Sequence, residues 1–339
     1  MKRTVALAVA AATLVSCSAP AGSGARFTPQ NASPFSSLHA DAARVTGAYF
    51  VPSFGCVNVG GLAAGPGKKM WFTEFEGDAI GSVTTDGTVS VYPTGSGSQP
   101  NGIVARRKTV WSGGFGGTVF KSTAKGALTS FPIAGAHIGN LVVGPDKNVW
   151  FGDYGNDKVG RITKTGAITE FAMNPGSYPG SIVVGPDKNF WIAEARAFLK
   201  MSVSGAILKV YNGNKKLTKN ETLDSIIAAP DGNLYFTESA NDNQTPDKIG
   251  RITTKGKISE IATLPVSSYP DRMVVGKDGN VYFTIHEMQA VGEINLASGK
   301  VSYHWLAMTH GDTGAQSIAE GPDKRLWLGG CYTIYAVSY

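Results

Sequence analysis

The stretch GPDKNVW occupies Gly144–Trp150, and GPDKNFW occupies Gly185–Trp191. Looser copies stand at GPGKKMW from Gly65, ARRKTVW from Ala105, APDGNLY from Ala229, GKDGNVY from Gly276 and GPDKRLW from Gly321. The seven starts lie 40, 39, 41, 44, 47 and 45 residues apart, a period typical of a four-stranded blade repeated around an axis. Around each copy the chain reads as four short strands. In the fourth unit, SIVVG is apolar, PDKN reverses the chain, FWIAE returns, and LKMSV and ILKVY alternate across a turn at Ser204 and Gly205. The last two strands recur as VGRIT-KTG-AITEF (Val159–Phe171) and IGRIT-TKG-KISEI (Ile249–Ile261).

One four-stranded sheet cannot cover both of its faces, so seven must cover one another. The expected fold is all-β, a seven-bladed β-propeller of four-stranded antiparallel blades, in which radial packing protects most strand edges. The repeated aromatic (Trp71, Trp111, Trp150, Trp191, Tyr235, Tyr282, Trp327) then belongs between blades rather than in a ligand site. The seventh unit runs out at TIYAVSY (Thr333–Tyr339), one strand short. RVTGAYFVP (Arg44–Pro52) has strand composition and is expected to supply that strand, since an open edge invites aggregation. Cys56 and Cys331 would then meet at the seam as a disulfide, the alternative being two buried thiols.

Three segments follow: 1–17 as a lipoprotein-type signal, 18–43 as a flexible spacer and 44–339 as the propeller. Lys2 and Arg3 precede an apolar run, Val5–Val15, too short to span a bilayer. The run ends in LVSC (Leu14–Cys17), which resembles the bacterial lipobox, in which Cys17 would carry lipid. Ordinary secretory cleavage near Ala19 or Ala21 would instead discard Cys17 and leave a periplasmic or secreted protein. Residues 18–43 are rich in Ser, Ala, Gly and Pro without apolar period, as linkers are. The formal charge is +6 with no long basic run, which argues against nucleic acid as a partner. No GxSxG, CxxC, HExxH or phosphate loop is present, so nucleophilic hydrolysis, structural zinc and nucleotide use lack a motif.

Propeller ligands sit where loops entering the inner strands meet loops leaving the second strands. Register places Gly60, Asn101, Gly139, Gly180, Asp224, Asp271 and Gln316 in the first ring. Three positions after the aromatic, the second ring reads Glu74, Gly114, Asp153, Glu194, Glu238, Ile285 and Gly330. Asn101, Asp224, Asp271, Arg272 and Gln316 are the expected ligand-binding residues. Glu74, Asp153, Glu194 and Glu238 would either hold Mg²⁺ or Ca²⁺ through oxygen or accept hydrogen bonds from neighbouring loops. His286 is the candidate acid or base, and His137 borders the same face. The connection SANDNQTPDK (Ser239–Lys248) is expected to form a long loop there, as a lid or partner contact.

Units such as GPDGNLYFTE-like Ala229–Glu238 and DKIGRITTKGKISEI (Asp247–Ile261) resemble the blades of the virginiamycin B lyase (streptogramin lyase) family over nearly all of 44–339. The resemblance implies a propeller that opens a cyclic depsipeptide by elimination, using a His base and Mg²⁺ held by Glu. Carried over by position, the catalytic His falls on Gln316, its neighbouring Glu on Gly314, the second metal Glu on Cys331 and the substrate His on Asp271. None is retained, and Gln316 cannot act as the base. The expected function is therefore an extracytoplasmic, lipid-anchored, monomeric binding module for a peptide, glycan, protein or small molecule. The alternative is a Mg²⁺-dependent carbon–oxygen lyase acting on a cyclic ester or lactone such as a streptogramin B. A third reading is a cell-surface propeller that holds other envelope components.

Overall fold

The computed structural model describes residues 44–52, 56–212, 221–240, 242, 244–286, 288–309, 311–312 and 314–339. The signal and spacer, and with them Cys17, lie outside the described residues. Seven four-stranded antiparallel sheets form the blades of a propeller. Six are continuous in sequence: blade 1 (59–93), blade 2 (100–132), blade 3 (138–172), blade 4 (181–212), blade 5 (221–266) and blade 6 (270–305). Blade 7 is composite, because Ser317–Glu320, Leu326–Gly329 and Thr333–Ser338 are joined by Arg44–Phe50 as the outermost strand.

The repeated stretch is a turn that fastens an inter-blade aromatic. In GPDKNVW, Gly144 N donates to Asn148 O at 2.8 Å and closes the hairpin. The Asp146 carboxylate accepts from Asn148 N and from Trp150 Nε1, both at 3.0 Å. The same bond joins Trp191 to Asp187 (3.1 Å), Trp327 to Asp323 (3.0 Å), and the hydroxyls of Tyr235 and Tyr282 to Asp231 and Asp278 (2.9 Å each). Blades 1 and 2 lack this Asp, and Trp71 and Trp111 donate instead to Pro66 O and Thr109 Oγ1 at 3.2 Å. Every one of the seven rings is at most 3% exposed. Each such aromatic packs against the next blade, as Trp71 does against Ile103 and Val110, and Trp150 against Phe190.

The second motif, VGRIT, has an equally local cause. Gly160 has no Cβ because the Phe151 ring lies where one would be, so Gly lets the two strands close over the buried Phe. On the outermost strand an aromatic stacks on the Trp, as Phe171 does on Trp150 at 5.2 Å and Tyr211 on Trp191 at 5.3 Å. Tyr49 of the N-terminal strand does the same for Trp327 at 5.3 Å. The borrowed strand therefore completes the packing of the last blade as well as its hydrogen bonds.

The seam is covalent, since Cys56 and Cys331 form a disulfide across 275 residues. Beside it, Val57 N donates to Cys331 O at 2.9 Å and Val51 N to Tyr332 O at 3.0 Å. Blade 5 departs from expectation. Half of the connection Ser239–Lys248, five residues of ten, is strand, because Asn233–Ala240 and Pro246–Thr253 both run on past the strands of the other blades, while 241 and 243 lie outside the described residues. Extending the hairpin satisfies the backbone groups that a long loop would leave unpaired.

Candidate functional site

Strand direction defines two unlike faces. The hairpins between first and second strands, and between third and fourth, lie on one face. The loops that lead from blade to blade and leave the second strands lie on the other, around the channel mouth. There five of the seven inner strands share a defect: register slips at Val59/Gly61, Pro100/Gly102, Ile138/Leu141, Leu223/Ser225 and Pro270/Met273. A bulge inserts an unpaired residue and re-aims its side chain. The unpaired residues include Asn101, Asp224, Asp271 and Arg272, four of the expected ligand residues.

The structure brings three of these together. Arg272 Nη2 donates to Asn101 Oδ1 at 3.0 Å, linking blade 6 to blade 2 across the channel. Arg272 Nε lies 3.7 Å from Asp271 Oδ1 and makes no hydrogen bond. Asp224 stands close enough to Asp271 for their charges to interact. Thr222 Oγ1 donates to Asp224 Oδ1 at 3.3 Å, but Oδ2 is sealed from solvent without a donor. Burial, opposed by the nearby Ser239 hydroxyl, which itself donates to Pro270 O at 3.5 Å, and reinforced by Asp271, pushes the Asp224 carboxyl up to about 7. Gln316 is fixed by its backbone N, which donates to Gly329 O at 2.8 Å, and its buried Oε1 likewise lacks a donor.

The second ring is more dispersed. Asp153 accepts from His137 N (3.0 Å), Asn156 N (3.2 Å) and Asn156 Nδ2 (2.8 Å), so it braces loops. Glu238 faces Lys248 at 3.5 Å, and Lys248 also bonds Glu221. Glu74 and Glu194 each keep a buried oxygen without a donor. Burial raises Glu74, Glu194 and Glu238 to about 7, with Asp157 adding to the rise at Glu194 and Lys248 opposing it at Glu238. These four carboxyls stand on four blades. Among the described residues, no three His, Cys, Asp or Glu side chains gather as ligands for one metal ion. His286 follows Val281–Ile285 at the mouth, with its backbone N bonded to Tyr269 O at 3.2 Å.

Two further features escaped the register. An aromatic cluster lines blades 1 to 3: Phe115 meets Phe75 edge-on at 5.1 Å and Tyr154 at 5.2 Å, and stacks with His137 at 6.2 Å. Phe75, Phe115 and Tyr154 each stand one residue past a second-ring position, where attention to the fourth place after the aromatic would have found them. Second, Asp78, Asp157 and Asp247 accept from the backbone N of Gln99 (2.8 Å), Tyr178 (2.9 Å) and Tyr269 (2.8 Å). Those three donors sit at φ 44°, 47° and 46° just before the channel positions. The Asp of each third-strand start thus sets the backbone that enters the next blade.

Fold and mouth define a seven-bladed propeller whose mouth carries carboxyls on several blades and an aromatic cluster on blades 1 to 3. The virginiamycin B lyase family model matches residues 27–202 and 200–333, and the chain belongs to that family. A streptogramin B lyase structure superimposes with TM-score 0.75 at 22% identity, covering 86% of this chain and 96% of that one. Selenomethionine-substituted virginiamycin B lyase from Staphylococcus aureus gives 0.74 at 23%, covering 84% and 95%. A catalytically inactive His-to-Ala variant of the Staphylococcus aureus enzyme with quinupristin gives 0.76 at 21%, covering 86% and 99%. At such identities the likeness shows the fold. No curated protein sequence matches the chain significantly.

The metal that the family resemblance implies does not fit the residues at its expected place. Cys331 is committed to the disulfide. A side chain at position 314 would run into the carbonyl of His286.

Proposed function

We propose that the chain is an extracytoplasmic, lipid-anchored binding propeller that takes a peptide, glycan, protein or small-molecule ligand at its mouth and has no streptogramin lyase chemistry. The observation that carries this reading is the Cys56–Cys331 disulfide, because it ties up a position where the lyase pattern needs a carboxylate. Gln316 and Gly314 point the same way, since neither can remove a proton or hold a metal. The mouth nevertheless keeps solvent-shielded, unpartnered polar atoms on Asp224, Gln316 and Arg272, which a ligand's donors and acceptors would satisfy. Export agrees with the disulfide, which persists in oxidising compartments. Arg44 opens its strand on the face opposite the mouth, so a tether on residues 18–43 leaves the mouth unobstructed.

The test is capture from the envelope fraction with wild-type protein and with an Asp224→Asn, Arg272→Ala double variant, alongside metal analysis. Wild type should retain a ligand that the double variant loses, with no stoichiometric metal. Equal capture by both proteins would overturn the reading, as would one tightly bound Mg²⁺ per chain.

A further inference from the structure

The hairpin face opposite the mouth carries cations where backbone conformation favours glycine. The turn between first and second strands places a residue in the left-handed region in every blade, and two in blade 1, where Gly67 (φ 83°) precedes Lys68. In blades 5 and 6 that residue is Gly232 (φ 82°) and Gly279 (φ 84°). In the other five it is Lys68 (φ 55°), Arg107 (57°), Lys147 (63°), Lys188 (62°) and Lys324 (66°), all exposed. An L-residue in this conformation costs on the order of 1 kcal/mol that Gly avoids. The side chains return little to the fold. Among the described residues Lys68, Arg107, Lys147 and Lys188 make no ion pair, and Lys324 reaches Glu320 at 3.3 Å while remaining 71% exposed.

These five cations are not scattered. Blades 7, 1, 2, 3 and 4 are consecutive around the ring, so the five form one arc. Contacts join neighbouring turns in two places: Arg106 Nε donates to Lys147 O at 2.5 Å and Lys121 Nζ to Lys164 O at 2.9 Å between blades 2 and 3, and Arg325 Nη2 donates to Thr85 O at 3.3 Å between blades 7 and 1. The hairpins between third and fourth strands add exposed Lys125, Lys164, Lys255 and Lys300 to the same face. The acidic side chains of this face are the five turn aspartates, whose carboxylates are turned toward Trp or Tyr, with Asp86 exposed beside Thr84 and Glu320 paired to Lys324. The mouth holds Glu74, Asp153, Glu194, Asp224, Glu238 and Asp271. Cations thus predominate on the hairpin face and carboxyls at the mouth, where Arg272 and Lys248 stand among them. Arg44, where residues 1–43 join the propeller, opens on the positive face within blade 7.

We propose that the hairpin face is a docking surface for an anionic phospholipid bilayer. A planar arc of long cations matches a planar sheet of headgroup phosphates, and residues 1–43 join the propeller at Arg44, on that side. A nucleic acid would ask instead for a groove that tracks its backbone, which a flat arc does not provide. Docked this way, the protein turns its mouth outward. The inference is independent of what the mouth binds.

Each cation near an anionic surface multiplies partitioning by about fivefold. An Arg107→Gly, Lys147→Gly, Lys188→Gly variant removes three of them and gives each turn the residue its φ prefers, so it keeps the fold. The full chain is mixed with phosphatidylcholine vesicles made with and without phosphatidylglycerol, and sedimented. Wild type should favour the phosphatidylglycerol vesicles, and high salt should abolish the preference. The variant should lose about a hundredfold of binding to those vesicles, match wild type on phosphatidylcholine alone, and melt no lower. The proposal is overturned by wild type that ignores phosphatidylglycerol, by a variant that binds as wild type does, or by tighter retention on duplex DNA at equal salt.

Discussion

Removing the clasp at the seam gives the sharpest energetic test of ring closure. Cys56 and Cys331 close a 275-residue loop. In the chain-entropy account a loop of that size restricts the unfolded chain by about 5–6 kcal/mol. The folded seam keeps its other fastenings in a Cys56→Ala, Cys331→Ala variant: the pairing of Arg44–Phe50 with Thr333–Ser338, the bonds from Val57 and Val51, and the Tyr49–Trp327 stack. The variant should therefore fold, and guanidinium unfolding should show it less stable than oxidised wild type by about 5 kcal/mol. Adding a reductant should shift wild type toward the variant and leave the variant unmoved. Unreduced, denatured wild type should expose no more than one thiol, that of Cys17. Coincident unfolding midpoints, or three free thiols, would refute both the pairing and the closed ring built on it.

Other outcomes follow from the same geometry. Asp146→Ala should cost about 1–3 kcal/mol, because Trp150 Nε1 stays buried while losing its acceptor. Asp146→Asn should restore part of that, as thermal melts would show. Glu74, Glu194 and Glu238 have folded values near 7 against an ordinary 4.5, so the folded state binds protons that the unfolded state releases. Their protonated forms stabilise the fold fully below about 4.5, and that contribution fades as pH rises through about 7. Each Glu→Gln variant should therefore gain roughly 1–2 kcal/mol over wild type at pH 8, after discounting for water at the rim, and nothing at pH 4. A carboxylate that holds a cation would reverse that sign. Tyr49→Ala should destabilise the seam by about 2–4 kcal/mol, measured against the same change at Tyr92 in the intact blade 1.

The blades were legible because their causes are local. Within one turn GPDKNVW carries the reversal, the acceptor and the buried indole, and repetition multiplies the signal seven times. The borrowed strand and the disulfide could be read from what the last repeat lacks. The repeated aromatic also supplied a ruler that put Asn101, Asp224, Asp271, Arg272 and Gln316 at the mouth. What it did not show were contacts made only once the ring closes. The Arg272–Asn101 bond joins residues 171 apart. Asp157 and Tyr178 are 21 apart, across a blade boundary that no motif marks. The blade 5 insertion looked like a loop because Asn, Asp and Pro are frequent in it, yet tertiary pairing drew half of it into strands. Charge segregation was hidden for a related reason: mouth loops and hairpin turns alternate along the chain, so acidic and basic residues interleave in sequence and separate only in space.

The proposal at the centre of this account is a lyase-family propeller without lyase chemistry at its mouth and with a binding surface there. Purified protein incubated with a streptogramin B and Mg²⁺, with the products separated by chromatography, measures this directly. The cyclic antibiotic should come back intact. A linear product that forms with added Mg²⁺ and disappears with a chelator or in His286→Ala would contradict the account.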